Sequence, residues 1–174
     1  FSNFEYITSI NATTGQEQWT VFSGTGTSAM TPLLHAGNLY WITGNGQVWA
    51  INAKTGAPVS PFMDNSYNES IKIGGFNALS SANVYTRSSG GDIMIAGSAM
   101  PNQVVGINLG SGTVAWQQDF VPINTYLTGF STSSLAIDQN RKLAIGSVLV
   151  DASATANTTT VMAYALDTTT GAIV

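Results

Sequence analysis

The chain has 174 residues, a formal net charge of −4, only five Lys plus Arg, and no Cys. Charged residues are 8% and hydrophobic residues 44%, which excludes a disordered chain and makes nucleic acid a poor partner. The missing Cys removes disulfides, thiolate nucleophiles and Cys-based metal sites, and no apolar run reaches the roughly 20 residues of a membrane helix.

Residues 1–22 read as two strands, Glu5 to Ile10 and Glu17 to Phe22, half of a four-stranded unit. Ser23-Gly24-Thr25-Gly26-Thr27-Ser28 reads as a flexible connector; its Gly-x-Gly lacks the strand-to-helix context of a phosphate cradle. Residues 29–62 form the next unit: strands at Ala29–Leu34, Leu39–Thr43 and Gln47–Asn52, and a fourth at Ala57–Phe62. Pro58 and Pro61 make that fourth strand an edge or an irregular one, because proline cannot donate to a ladder. Met63 to Phe76 is a longer loop. Its polar centre, Asp64 to Glu69, lacks the ligand spacing of an EF-hand.

Residues 79–120 give strands Leu79–Thr86, Asp92–Gly97, Gln103–Asn108 and Thr113–Phe120, with turns at Ser88–Gly91 and Met100–Asn102. Residues 131–174 give Thr132–Asp138, Leu143–Leu149 and Thr160–Asp167, and a stub from Ala172. Asp151 to Thr159 reads as an exposed low-complexity loop. No helix is expected. Phe1 is not an initiator Met, so further sequence is expected before it.

One phrase recurs at the same place in each unit: Ser9-Ile10-Asn11-Ala12-Thr13-Thr14-Gly15, Ala50 to Gly56, Gly106 to Gly112 and Ala165 to Gly171. Its pattern is small, apolar, Asn or Asp, two free positions, Thr or Ser, Gly. Asn11, Asn52, Asn108 and Asp167 can each start a turn by bonding the backbone about two residues on. Gly15, Gly56, Gly112 and Gly171 supply the positive φ that closes a type I turn with a bulge. Trp19 and Trp116 each follow the phrase glycine by four residues.

This phrase resembles the signature of PQQ-like repeats, Ala-x-Asp-x-x-Thr-Gly-x-x-x-Trp, found in the tryptophan-docking blades of quinoprotein dehydrogenases and their non-catalytic relatives. Asn11 to Trp19 is most similar to it. The chain departs from it at Ser60, which holds the Trp slot of the second copy, at Gly106, and at Val174, which precedes the slot of the fourth. The resemblance implies an all-β propeller of four-stranded antiparallel blades, about three and a half of them, where a closed ring uses roughly four to eight. The partners it implies are missing blades of the same protein or neighbouring subunits. It also implies that Trp19 and Trp116 dock one blade on the next, burying large aromatic area. Trp19 is expected to be the more open, for want of a preceding blade.

Other residues were candidates for chemistry. His35, the single histidine, reads as a turn residue, and nothing nominates a carboxylate or metal partner for it. Among Tyr40, Trp41 and Trp49, alternation predicts some core residues and one exposed at an interface. Catalytic members of the resembled family clamp PQQ with a vicinal disulfide, hold Ca²⁺ with acidic and amide residues, and use an Asp base. This sequence has no Cys, and its Asp92, Asp119, Asp138 and Asp151 match no motif, so no catalytic residue and no metal ligand is assigned, and no cofactor is evident. Sequons at Asn68, Asn157 and Asn11 are candidate N-glycosylation sites. The expectation is a non-catalytic scaffold that is extracellular, at the cell surface or periplasmic, with protein or glycan partners. The alternative is part of a quinoprotein alcohol or sugar dehydrogenase, with PQQ and Ca²⁺ held by other blades.

Overall fold

A computed structural model describes residues 4–25, 31–43, 46–62, 81–99, 102–120, 135–151 and 159–174. They form twelve strands in four antiparallel sheets, and no helix occurs among the described residues. The first sheet pairs β1 (Phe4–Ile10) with β2 (Glu17–Thr25). The second orders β3 (Leu33–His35), β4 (Asn38–Ile42) and β5 (Val48–Asn52). The third has four strands: β6 (Asn83–Tyr85), β7 (Ile93–Ala99), β8 (Asn102–Asn108) and β9 (Val114–Asp119). The fourth orders β10 (Ala136–Asp138), β11 (Leu143–Asp151) and β12 (Thr159–Asp167).

Every sheet is a meander of sequential neighbours, the blade of a propeller. The fourth-strand position survives as a single bridge in two of them, Ile51 to Pro58 and Leu166 to Ile173. Ala57–Phe62 is therefore not a full strand. Val59 N–H reaches the Ala50 carbonyl at 3.0 Å, and the chain then turns, Phe62 N–H bonding the Val59 carbonyl at 3.0 Å. Ser23 to Thr25, expected in a connector, instead prolong β2. Its ladder with β1 runs out to Phe4 opposite Thr25. Residues 63–80, 100–101, 121–134 and 152–158 lie outside the described residues, and with them Asn68, Asn157 and most of the loops expected at Met63 to Phe76 and Asp151 to Thr159.

The core lies between the sheets. One cluster joins Trp41, Trp49, Ile42 and Ile51 of the second sheet to Val84, Met94, Val105 and Ile107 of the third, with Ile7, Trp19 and Val21 of the first packed against it. A second joins Ile93, Ile95, Val104 and Trp116 to Leu135, Ala144, Tyr164 and Leu166. Tyr40, Trp41 and Trp49 are all buried, so none of them is exposed at an interface. The second sheet has a neighbour on each face, so alternation sends side chains into apolar surroundings either way. Trp41 and Trp49 oppose one another across β4 and β5 and stack, 5.8 Å between centroids.

Candidate functional site

The four copies of the phrase fold into one turn. Asn11 Oδ1 accepts the N–H groups of Thr13 and Thr14 at 2.8 and 3.0 Å. Asn52 does the same for Lys54 and Thr55, Asn108 for Gly110 and Ser111, and Asp167 for Thr169 and Thr170. The glycine N–H then returns to the carbonyl of the Asn or Asp in each copy. Gly15, Gly56, Gly112 and Gly171 have φ of 70°, 71°, 70° and 74°, where a Cβ is disfavoured. In the last three copies the residue after the Asn or Asp donates its N–H to the turn between the sheet's first two strands. Ala53 bonds Gly37, Leu109 bonds Asp92 and Thr168 bonds Lys142, at 2.8–2.9 Å.

These turns form platforms, and a tryptophan from the preceding sheet sits on two of them. Trp19 Nε1 donates to the Ala53 carbonyl at 3.2 Å, and a Cβ on Gly56 would lie 3.1 Å from the same indole. Trp116 Nε1 donates to the Thr168 carbonyl at 2.9 Å, and a Cβ on Gly171 would lie 2.5 Å from its ring. Trp116 is 7% exposed and Trp19 half-buried. The small residue that opens the phrase lies opposite the indole, as Ser9 pairs with Trp19 and Gly106 with Trp116. A Cβ on Gly106 would run into the Trp116 ring. The partner of Trp19 is the sheet that follows it, not one that precedes it. The Gly15 turn is exposed, with nothing within 4 Å of its would-be Cβ.

The boundary between the second and third sheets is built differently. Ser60, in the Trp slot, is exposed. Apolar cover comes from Phe62, edge-on to Tyr40 at 5.5 Å, with Val84 and Leu109. Across the boundary His35 Nε2 meets Asp92 Oδ2 at 2.7 Å. Asp92 is tied to its own sheet, since its Oδ1 accepts the Arg87 N–H at 2.9 Å and its carbonyl accepts Leu109 N–H. The Arg87 guanidinium folds onto the Gly90 and Gly91 carbonyls, and Asn108 Nδ2 also donates to Gly90. Burial pushes the Asp92 carboxyl up, but the Arg87 N–H, the His35 hydrogen bond and the charges of His35 and Arg87 outweigh it and hold it below the usual range. Between the third and fourth sheets Gln139 adds to the Trp116 bond, its side chain accepting Thr86 N–H and donating to the Val84 carbonyl, and Asn83 Nδ2 donates to the Leu135 carbonyl.

Four of the described carboxylates are committed one by one. Asp92 serves His35 and Arg87, Asp119 accepts Gln117 Nε2, Asp138 pairs with Arg141, and Asp167 holds its turn. No three His, Cys, Asp or Glu among the described residues converge as metal ligands. Buried polar atoms without a partner among the described residues are Trp49 Nε1, both amide atoms of Gln103 and the Tyr164 hydroxyl. Desolvation pushes that hydroxyl up to about 12. Sequence reasoning missed the His35–Asp92 pair because 57 positions separate its members.

A family model described as outer membrane protein assembly factor BamB matches residues 3–59, about a third of the chain. No curated protein matches it by sequence. Among solved structures, BamB from Moraxella catarrhalis is similar at 19% identity and a TM-score of 0.61, over 92% of this chain and 40% of that one. Quinohemoprotein alcohol dehydrogenase from Comamonas testosteroni is similar at 16% identity and 0.66, over 98% of this chain and 32% of that one. The enzyme ADHIIG from Pseudomonas putida HK5 gives 15% and 0.62, over 98% and 31%. The chain thus spans between about a third and two fifths of these structures' length. It has the PQQ-like repeat β-propeller fold, here as a partial propeller.

Proposed function

We propose that this PQQ-like propeller chain is a non-catalytic scaffold working outside the cytoplasm, in the periplasm or at a cell surface, where its blades bind or assemble other proteins. The observation that carries the reading is the match of residues 3–59 to the assembly-factor family. That segment contains Asn11, Gly15, Trp19, Asn52 and Gly56, the first docked pair of sheets. In this reading the recurring chemistry of the phrase is structural. The Asn or Asp builds a platform, the glycine clears it, and Trp19 and Trp116 dock adjacent blades. No membrane-crossing helix occurs among the described residues.

A second reading, part of a quinoprotein alcohol or sugar dehydrogenase, draws on the 98% coverage by two quinohemoprotein alcohol dehydrogenases. PQQ and Ca²⁺ would then be held by residues other than those described here. The two readings separate in one experiment on the full-length protein from its native source. Absorption spectra and dye-linked alcohol oxidation are measured before and after incubation with PQQ and Ca²⁺, and the protein is sized with and without mild cross-linking. The scaffold reading expects no quinone band, no oxidation and a discrete cross-linked assembly. Dye reduction that depends on PQQ would overturn it.

A further inference from the structure

We propose that the propeller opens first at the boundary between the second and third blades, its outer rim parting about hinged inner strands. The boundaries differ in where they are clasped. Trp19 and Trp116 ride on β2 and β9, the outer strands of their blades, and bond the Ala53 and Thr168 carbonyls of the next blade. Those clasps hold the rim. In the second blade the outer strand is reduced to the bridge between Ile51 and Pro58, and Ser60, in the tryptophan slot, is exposed. Phe62 turns inward and lies edge-on to Tyr40 of β4. The polar clasp at this boundary, His35 Nε2 to Asp92 Oδ2 at 2.7 Å, joins the end of β3, the first strand of its blade, to the turn before β7. It holds the inner strands together and leaves the rim free to part.

Gln103 gives the seam a reason to open. It lies on β8 with Val105 and Ile107, which cluster with the second sheet, whereas Val104 clusters with the fourth. Strand alternation therefore points Gln103 at the second sheet. The residue is fully buried, and neither amide atom has a partner among the described residues. A primary amide carries two N–H donors and a carbonyl with two lone pairs. Leaving them unmet in the closed seam costs free energy that water returns when the seam opens. Trp49 and Tyr164 each leave one buried atom unpaired, whereas Gln103 leaves both ends of an amide. The repeat does not demand an amide at this place: counted back from the phrase, the same position in the fourth copy is Met162.

The test is native-state thiol labelling with Ellman's reagent, using single cysteines in the full-length protein freed of any other. Ile51→Cys, Ile107→Cys and Leu166→Cys occupy the second position of the phrase in successive blades. The native side chains are 1%, 0% and 0% exposed, so each thiol reports on one boundary. Each labelling rate is divided by the rate that the variant's own global unfolding would give, which removes differences in overall stability. Ile107→Cys should label about tenfold faster than the other two, the factor that one unpaired buried polar group is worth. Adding Gln103→Met should remove most of that excess and leave the other two rates unchanged. Equal rates at the three boundaries, or faster labelling of Ile51→Cys or Leu166→Cys, would overturn the proposal. An excess that survives Gln103→Met would overturn the part given to Gln103.

Discussion

Replacing single phrase glycines by alanine isolates the docking contact. Gly15 and Gly171 occupy the same turn position with nearly the same φ, +70° and +74°. The backbone cost of a Cβ in that region, about 1–2 kcal/mol, is therefore common to both. The surroundings differ. Nothing lies within 4 Å of a Cβ at Gly15, whereas one at Gly171 would sit 2.5 Å from Trp116 Cε3 and 2.7 Å from Cδ2. Contact between carbons is comfortable near 3.5–4.0 Å, so the indole would have to withdraw by about 1 Å. It cannot retreat, because Gly106 already lies against its other side. Overpacking of this kind costs about 1–3 kcal/mol. Gly15→Ala should thus lose about 1–2 kcal/mol and Gly171→Ala about 2–5 kcal/mol. Gly56→Ala should fall between, since its nearest contacts on Trp19 and Val21 are 3.1 Å. Urea midpoints at unchanged m give the comparison. Equal shifts for Gly15→Ala and Gly171→Ala would refute the docking role of Trp116.

Trp116→Ala should cost about 3–5 kcal/mol, the range for a large buried aromatic, and Trp19→Ala less, because Trp19 is half-buried; denaturation midpoints of the two variants check the order. Tyr164→Phe removes a buried hydroxyl without a partner among the described residues, so it should leave stability unchanged or raise it by about 1 kcal/mol; a lower thermal midpoint would mean the hydroxyl is bonded. Asp167→Asn tests the acid limb. Burial pushes the Asp167 carboxyl up, but the N–H groups of Thr170 and Thr169, the Thr170 hydroxyl and Lys142 hold it below its usual value. Its contribution is thus present above the unfolded pKa and is lost as pH falls through the folded one. The variant keeps the turn, as Asn11, Asn52 and Asn108 do, and should show a shallower fall in stability on acid titration.

The fold was legible because the phrase encodes local chemistry. An Asn or Asp two residues before the N–H it accepts, and a glycine four residues on, specify a turn without reference to the rest of the chain. Repetition at one register then implies a stack of like units, and the described residues are all strand and turn. What could not be read is what the stack brings together. Gly106 looked like a departure from the pattern, yet it carries the tightest indole contact. Superposing the copies of the phrase would have given a signal, since Ser9 and Gly106, the small first residues of two copies, pair with Trp19 and Trp116. His35 and Asp92 offered no such signal. One ends a short strand and the other stands where Gly37 and Lys142 stand in the adjacent blades, so only the stacking joins them.

The middle boundary follows from the fourth-strand position of the second blade, which keeps a single bridge. A tryptophan can reach the next platform only if an outer strand carries it there, as β2 carries Trp19 and β9 carries Trp116. In the second blade pairing stops after one bridge, and the chain turns there, Phe62 N–H bonding the Val59 carbonyl. Ser60 is then left exposed, and an indole at that position would have no strand to hold it over the Gly112 turn. The apolar part of the missing contact is supplied by Phe62 and Leu109, both buried. Neither can supply the polar part, and Leu109 spends its own N–H on the Asp92 carbonyl. The carboxylate so positioned faces the end of β3, where His35 is the residue able to meet it. Where the ladder is lost, the boundary thus carries a His–Asp contact in place of a docked indole.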